Sequence, residues 1–267
     1  MRFVYFTKTL QSLDIPSIVR FLKDVGLDGA DLAVRDGYPV NPGNVRSELP
    51  AALRAFRDHG LIVALVTAET RLTDPDSPAA RTLFEVCGQA GIPAIKIGYF
   101  VYKGKFEETL AEARRRLAGF ARLAARTGTK AVYHTHSGNM LGSNAAALRL
   151  LLQDLDPHHV GAYVDTGHVA IGGAPIGLEL DMVRPWFSQL AIKDMAWEQS
   201  KDGWRSRVVP VGRGIVRWDE VARALRDCGF QGTVSLHAEY EAKDLVERQR
   251  LAKEELTTLR TKFTTGT

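Results

Sequence analysis

The sequence predicts the α/β class and, within it, a single (β/α)8 TIM barrel formed by residues 1–267. Three observations point there. Short apolar runs with β-like composition recur eight times at near-even spacing, a stretch with helical periodicity or helix punctuation follows each, and the chain allots about 33 residues to each pair. Eight units without a central linker favour closure over an open doubly wound sheet. No G-x-G-x-x-G follows the first run, and Gly212-Arg213-Gly214 comes late in a loop before Trp218, so a dinucleotide-binding fold is the weaker choice.

The predicted strands are Phe3–Phe6, Gly29–Val34, Leu61–Thr67, Ala94–Gly98, Lys130–His134, Gly161–Asp165, Leu190–Lys193 and Thr233–Glu239. Asp14-Ile15-Pro16 opens the first helix, Ile18, Phe21, Leu22 and Val25 line one face, and Gly26 stops it. A long loop follows Val34 before the helix Leu49–His59, which ends at Gly60. Ser77-Pro78 is a cap with proline in the first turn, leading through Leu83 and Val86. Phe106–Thr127 ends at Gly128, and Ser143-Asn144 opens Ala145–Leu155. Leu178–Phe187 is short, Trp218–Cys228 ends at Gly229, and Lys243–Lys262 is the last helix, before a tail, Thr264–Thr267, expected to fray.

Composition narrows the class of function. With 45% hydrophobic and 25% charged residues the chain is globular, neither disordered nor fibrous. Its two cysteines, Cys87 and Cys228, form no ligand pattern and read as reduced thiols of a cytoplasmic protein. The 35 basic and 31 acidic side chains leave a net charge of only +4. The densest basic run, Arg114–Arg116, lies among Glu107, Glu108 and Glu112 on a predicted helix, which suits a solvated face rather than a nucleic-acid stripe. No stretch reaches the ~20 apolar residues of a membrane span. A small molecule is the expected partner, and the long outer helices offer surfaces for self-association.

The chain has seven histidines, and their placement is the strongest functional signal. His59 sits at a helix end, where the dipole favours it, and His158 and His159 lie in a turn on the opposite barrel face. The other four, His134, His136, His168 and His237, fall where strands finish, together with Asp165, Asp194 and Glu239. Chemistry in such barrels belongs at that rim. Alternation lets His134 with His136, and His237 with Glu239, face the same side. Imidazole with carboxylate is a ligand set for a divalent ion such as Zn²⁺, Mn²⁺ or Co²⁺, while a hydrogen-bonded polar cluster is the plainer alternative. Lys193 is placed to polarise a carbonyl or to pair with Asp194 or Glu239. Glu69 and Lys96 lie near the mouth, and Trp197, Trp204, Tyr99 and Tyr102 lie in loops where aromatic faces stack on sugars or simply pack. Met195–Val211 is the longest insertion on this side and a candidate lid.

With these residues in view, the chain resembles the xylose-isomerase-like TIM-barrel superfamily of sugar phosphate isomerases and epimerases, related to AP endonucleases. The resemblance runs through Val25–Leu32, His134-Thr135-His136-Ser137-Gly138, Tyr163-Val164-Asp165-Thr166-Gly167-His168, Ala191-Ile192-Lys193-Asp194, Val211-Gly212-Arg213-Gly214 and Gly229–Tyr240, in family order. It implies a metal site with Glu, Asp, His and Glu from strands five to eight. Asp165 matches the Asp, and Glu239, or His237 one pleat earlier, stands at strand eight. His134 stands where the strand-five Glu falls, and Ala191 replaces the strand-seven His. The implied ligands are therefore His136, Asp165 and Glu239, with His134 or His237 adjoining, for Mn²⁺, Zn²⁺, Co²⁺ or Mg²⁺.

The activity implied is isomerisation or epimerisation of a sugar by proton abstraction next to a carbonyl. Glu239 is the candidate ligand and base, His237 or His134 the second acid/base, and Lys193 or His168 the oxyanion partner. Trp197, Lys96 and Glu69 are the candidate substrate contacts. Elimination or hydration at a 3-keto sugar or glycoside starts with the same proton abstraction and stands as the alternative. A barrel that binds carbohydrate or supports a partner without turnover is the alternative outside catalysis. Zinc-dependent DNA repair asks for a denser ligand set and a basic DNA-facing surface, and the sequence offers neither.

Overall fold

The computed structural model describes residues 1–264. Seven parallel strands come first: β1 (Arg2–Phe6), β2 (Gly29–Ala33), β3 (Ile62–Thr67), β4 (Ala94–Lys96), β5 (Lys130–His134), β6 (Val160–Asp165) and β7 (Phe187–Ile192). The chain then leaves the barrel as an antiparallel pair, β8 (Asp194–Ser200) and β9 (Gly203–Val209), and returns as β10 (Thr233–Leu236). The barrel closes in the order β1-β10-β7-β6-β5-β4-β3-β2, all neighbours parallel. The predicted single (β/α)8 barrel is therefore the observed architecture.

The helices are α1 (Ile15–Val25), α2 (Val45–Asp58), α3 (Pro78–Gln89), α4 (Phe106–Thr127), α5 (Ala145–Leu152), α6 (Thr166–Gly172), α7 (Ile176–Met182), α8 (Trp218–Asp227) and α9 (Leu245–Thr264). Their starts follow the expected cap chemistry. Asp14, Ser77 and Asn144 accept hydrogen bonds from the backbone N–H groups of Ser17, Ala80 and Ala147. Gly26 ends α1 at φ 88°, a conformation that favours glycine. Helix faces and outward strand residues form one large buried core, and a second cluster, including Val4, Leu65, Val132, Tyr163 and Ala191 from five different strands, fills the barrel interior. Cys87 is buried and Cys228 half-buried, both as free thiols. Arg114 pairs with Asp154, and Arg115 and Arg116 pair with Glu112, as on a solvated face. Among the described residues no helix is long and apolar enough to cross a membrane.

Several boundaries differ from expectation. The fourth strand stops at Lys96, and the eighth at Leu236, because Glu239 N–H turns back to the His237 carbonyl at 2.7 Å and breaks the ladder. The second helix starts at Val45, ahead of Pro50, and the fifth ends at Leu152. The helix expected over Leu178–Phe187 is α7, over Ile176–Met182, an additional short helix, α6, follows β6 directly, and β7 begins at Phe187. Met195–Val211 is a twisted hairpin rather than a loop, held across its strands by Glu198 with Arg205 and Arg207. The expected fraying of Thr264–Thr267 lies outside the described residues, except at Thr264, the last residue of α9.

Candidate active site

Asp165 ends β6 and is fully buried. Its Oδ1 accepts the N–H groups of Gly167 (2.9 Å) and His168 (3.0 Å), so the carboxylate caps α6 and has only Oδ2 left to use. A Cβ at position 167 would lie 2.8 Å from Met195 Cγ and 2.9 Å from the Lys193 carbonyl, so only glycine lets α6 start this close to the end of β7. Thr166 Oγ1 donates to the Lys193 carbonyl (2.8 Å) and accepts the Lys193 N–H (3.0 Å), which fixes that lysine beside the carboxylate.

Two imidazoles converge on Asp165 Oδ2. His134 Nε2, from the end of β5, lies 3.4 Å away, and His237 Nδ1, just past β10, lies 3.8 Å away. The two rings stack in parallel with centroids 5.3 Å apart. One donor atom from each of the three residues falls within 4.8 Å of the others. A hydrogen-bond relay sets the tautomer of His237. Asp31 Oδ2 accepts the Tyr163 hydroxyl (2.9 Å), so Tyr163 in turn accepts His237 Nε2–H (2.8 Å) and Nδ1 keeps its lone pair. Asp31 is anchored by Thr67 (2.5 Å) and Ser235 (3.1 Å).

Among the described residues four buried polar atoms have no hydrogen-bond partner: Lys96 Nζ, His134 Nε2, Asp165 Oδ2 and His237 Nδ1. A buried unpaired polar atom is costly, and three of these four face one another. Two imidazole nitrogens and a carboxylate oxygen, aimed together with room for further ligands, fit a divalent ion.

Lys193 closes the site from β7. Its ammonium donates to Glu239 Oε1 (2.9 Å) and to His168 Nε2 (3.2 Å), and lies 3.5 Å from Asp165 Oδ2. Burial works against its charge, but Asp165 and Glu239 outweigh burial and hold its pKa above the ordinary lysine range. In turn Asp165 and Glu239 are held well below the usual carboxylate range, burial being overcome by Lys193 in both, helped by His168 and His134 at the first and by His237 and Lys8 at the second. Lys8 occupies Glu239 Oε2.

Burial lowers the pKa of His134, His136 and His168, the last to about 3, so all three are neutral near pH 7. His136 donates Nδ1–H to the Ser137 carbonyl (2.8 Å), which leaves Nε2 free, and its ring lies 4.0 Å from that of His168. In an unfolded chain these imidazoles protonate near pH 6.5, so below that pH the unfolded state binds more protons and stability falls. Between pH 6.5 and 5 His168 alone takes away about 2 kcal/mol. Glu255, whose carboxyl pKa burial lifts to about 7, works in the opposite direction over this range. In a Glu255→Gln variant the metal-free protein is therefore expected to melt at a clearly lower temperature at pH 5 than at pH 7; a flat melting profile of that variant would contradict these burials.

The structure thus brings together His134, Asp165, His237, Glu239, Lys193 and His168. His136 lies one step out, against His168 and Tyr99, and Glu239, paired with Lys8 and Lys193, also reaches the triad, its Oε1 3.7 Å from His237 Nδ1. Lys96 lines the same mouth, 2% exposed, with Nζ 3.5 Å above the Tyr99 ring. Trp197 stands 46% exposed on the hairpin, and Glu69 accepts the Asp36 N–H (2.5 Å) in the rim loop, so neither lines this cavity of about 80 Å³. Asp194 turns away from the mouth: it binds the N–H groups of Met195, Gly212, Gly214 and Val216 and the Trp218 indole. The backbone N–H groups of the Gly212–Gly214 turn are therefore taken up by the protein's own carboxylate. Asp31, Tyr163 and Arg35 were not among the sequence candidates. The signal available was a charged residue within the otherwise apolar run Gly29–Val34.

The profile of the xylose isomerase-like TIM-barrel family matches residues 19–262. No curated protein matches the chain in sequence. Among solved structures, the IolI protein with a bound zinc atom superposes with a TM-score of 0.80 at 16% identity, covering 100% of both chains. D-psicose 3-epimerase with D-tagatose from Clostridium cellulolyticum H10 gives 0.78 at 14% identity, covering 98% of this chain and 99% of that one. The probable 3-DHS dehydratase AsbF from Bacillus anthracis gives 0.75 at 19% identity, covering 97% and 99%. At these identities the likeness establishes the fold.

Proposed function

We propose that this chain, which belongs to the xylose isomerase-like TIM-barrel family, is a divalent-metal-dependent enzyme that moves a proton at the carbon next to a carbonyl in a small carbohydrate, as an isomerase or epimerase does. The observation that carries this reading is the convergence of His134 Nε2, Asp165 Oδ2 and His237 Nδ1, buried and without hydrogen-bond partners, at the barrel mouth. The zinc in IolI and the ketose in the psicose epimerase support the same choice of chemistry. His134, Asp165 and His237 would hold the ion. When bound, it supplies a Lewis acid for the oxygens flanking the labile C–H bond.

The rest falls to the chain's own groups. Glu239 is ionised at neutral pH and is the only carboxylate among the described residues lining the cavity. Lys193 fixes its Oε1, while Lys8, half-exposed, releases Oε2 when substrate displaces it, which restores basicity to that oxygen. His136, from the opposite flank, offers a neutral Nε2 as a second proton carrier. The permanently charged Lys193 stabilises negative charge developing on the substrate. A single cavity carboxylate beside an ammonium also suits elimination, which needs one base and one acid, so dehydration of a keto sugar is the second reading.

Incubation of the metal-loaded protein with a panel of ketoses and 3-keto-glycosides in D₂O tests both. Deuterium at the carbon next to the carbonyl, with isomer interconversion, is the expected result, and loss of a leaving group selects elimination. Metal-loaded protein that exchanges no label on any of them overturns the proposal and leaves a carbohydrate-binding barrel. Tyr163→Phe, which leaves His237 Nε2–H without its acceptor and Asp31 Oδ2 without a donor, is expected to weaken metal binding roughly 10–100-fold in a chelator competition and to cost about 1–3 kcal/mol of stability. Unchanged affinity would remove the relay from the account.

A further inference from the structure

Charged side chains at the mouth fall into two groups. On the β6, β7 and β10 side every charge is answered: Lys193 meets Asp165 and Glu239, and Lys8 meets Glu239. On the β2 and β4 side two cationic groups are left over. Lys96 ends β4, fully buried, and its Nζ lies over the face of Tyr99 with no hydrogen-bond partner. Arg35 follows β2, half-buried, with Nε donating to the Ala68 carbonyl (3.1 Å) and its guanidinium over the Phe6 ring. Neither forms an ion pair among the described residues. Asp31 is engaged by Thr67, Tyr163 and Ser235, and Glu69 by the Asp36 N–H. Arg35 and Lys96 line one cavity with the hydroxyl-bearing Thr67 and Thr70.

An amine and a guanidinium that line one buried cavity with neither in an ion pair have a plain use: the ligand supplies the partner. Burial and then Arg35 push the Lys96 pKa well below the ordinary lysine range, a bias that an incoming anion reverses. We propose that the substrate carries an anionic group, a carboxylate or a phosphate, and that Arg35 and Lys96 receive it while the carbonyl end reaches His134, Asp165 and His237. This deepens the proton-transfer reading and rests on it for the placement of the carbonyl end. The substrate class is then a sugar acid or sugar phosphate rather than a free neutral ketose.

Three ketoses that differ only at C6 separate the cases: D-fructose is neutral, D-fructuronate carries a carboxylate and D-fructose 6-phosphate a phosphate. Calorimetric titration of the purified protein is expected to show one or both anions binding at least roughly tenfold tighter than fructose. Arg35→Met and Lys96→Met are each expected to remove most of that preference. Arg35→Met alters a half-buried position and keeps the test open if Lys96→Met melts early. The tighter of the two anions identifies the group. Equal affinity for all three sugars, undetectable binding of both anions, or a preference that both variants retain overturns the inference. Anion preference without deuterium exchange sinks the proton-transfer reading alone, whereas exchange on neutral ketoses without anion preference sinks only this one.

Discussion

Asp165→Asn is expected to strip the protein of its metal and to lower kcat/KM by roughly a thousandfold or more, with the barrel still folded. The substitution separates the two oxygens of this carboxylate. Oδ1 caps α6 through Gly167 and His168, and asparagine caps as well as aspartate. Oδ2 is the oxygen that His134 and His237 face, and an amide there offers N–H groups in place of a lone pair. The new amide also points at Lys193, 3.5 Å away, so a loss of about 1–3 kcal/mol in stability accompanies the change. Metal analysis, steady-state rates and circular dichroism on one preparation decide the matter. Stoichiometric metal retained in the variant would contradict the assignment of Asp165.

Asp194→Ala is expected to produce the largest loss of stability, about 3–5 kcal/mol, or roughly a 10 °C fall in melting temperature. This buried carboxylate accepts five hydrogen bonds, four from backbone N–H groups and one from the Trp218 indole. Together they fold the segment after β9 back onto the start of β8. Gly214 packs so tightly on Asp194 Oδ1 and the Met195 carbonyl that a side chain there has no room. Alanine at position 194 orphans all five donors at once. Because Asp194 does not face the triad, the folded fraction is expected to keep its metal, in contrast to Asp165→Asn. Thermal and urea unfolding measure the effect, and a change below about 1 kcal/mol would show that water replaces the carboxylate freely.

Much of this arrangement is legible in the sequence, and the parts that are not have physical reasons. Strand–helix alternation and caps such as Asp14, Ser77 and Asn144 are local chemistry, so the barrel and most helix starts can be read directly. The rim position of His134, Asp165, His168, Lys193, His237 and Glu239 follows from where apolar runs end. Which of them face one another does not. His134 and His136 are two residues apart and look equivalent, and both line the mouth, yet one faces Asp165 while the other lies tilted against the His168 ring. Glu239 looks like a ligand alone, and its pairing with Lys8 and Lys193, distant in sequence, does not show in the linear chain. Asp31 and Tyr163 enter through long-range hydrogen bonds that a linear reading does not reach. The hairpin, by contrast, had a signal: Asp202-Gly203 between alternating segments, with Gly203 at φ 107°.

The proposed chemistry requires a divalent ion held by three particular atoms. Crystals grown with Mn²⁺ and measured for anomalous scattering test this most directly. One strong peak per chain, within about 2.0–2.3 Å of His134 Nε2, Asp165 Oδ2 and His237 Nδ1, is the predicted result. A peak bound instead by His136 and Glu239, or no peak with those three atoms in place, would contradict it.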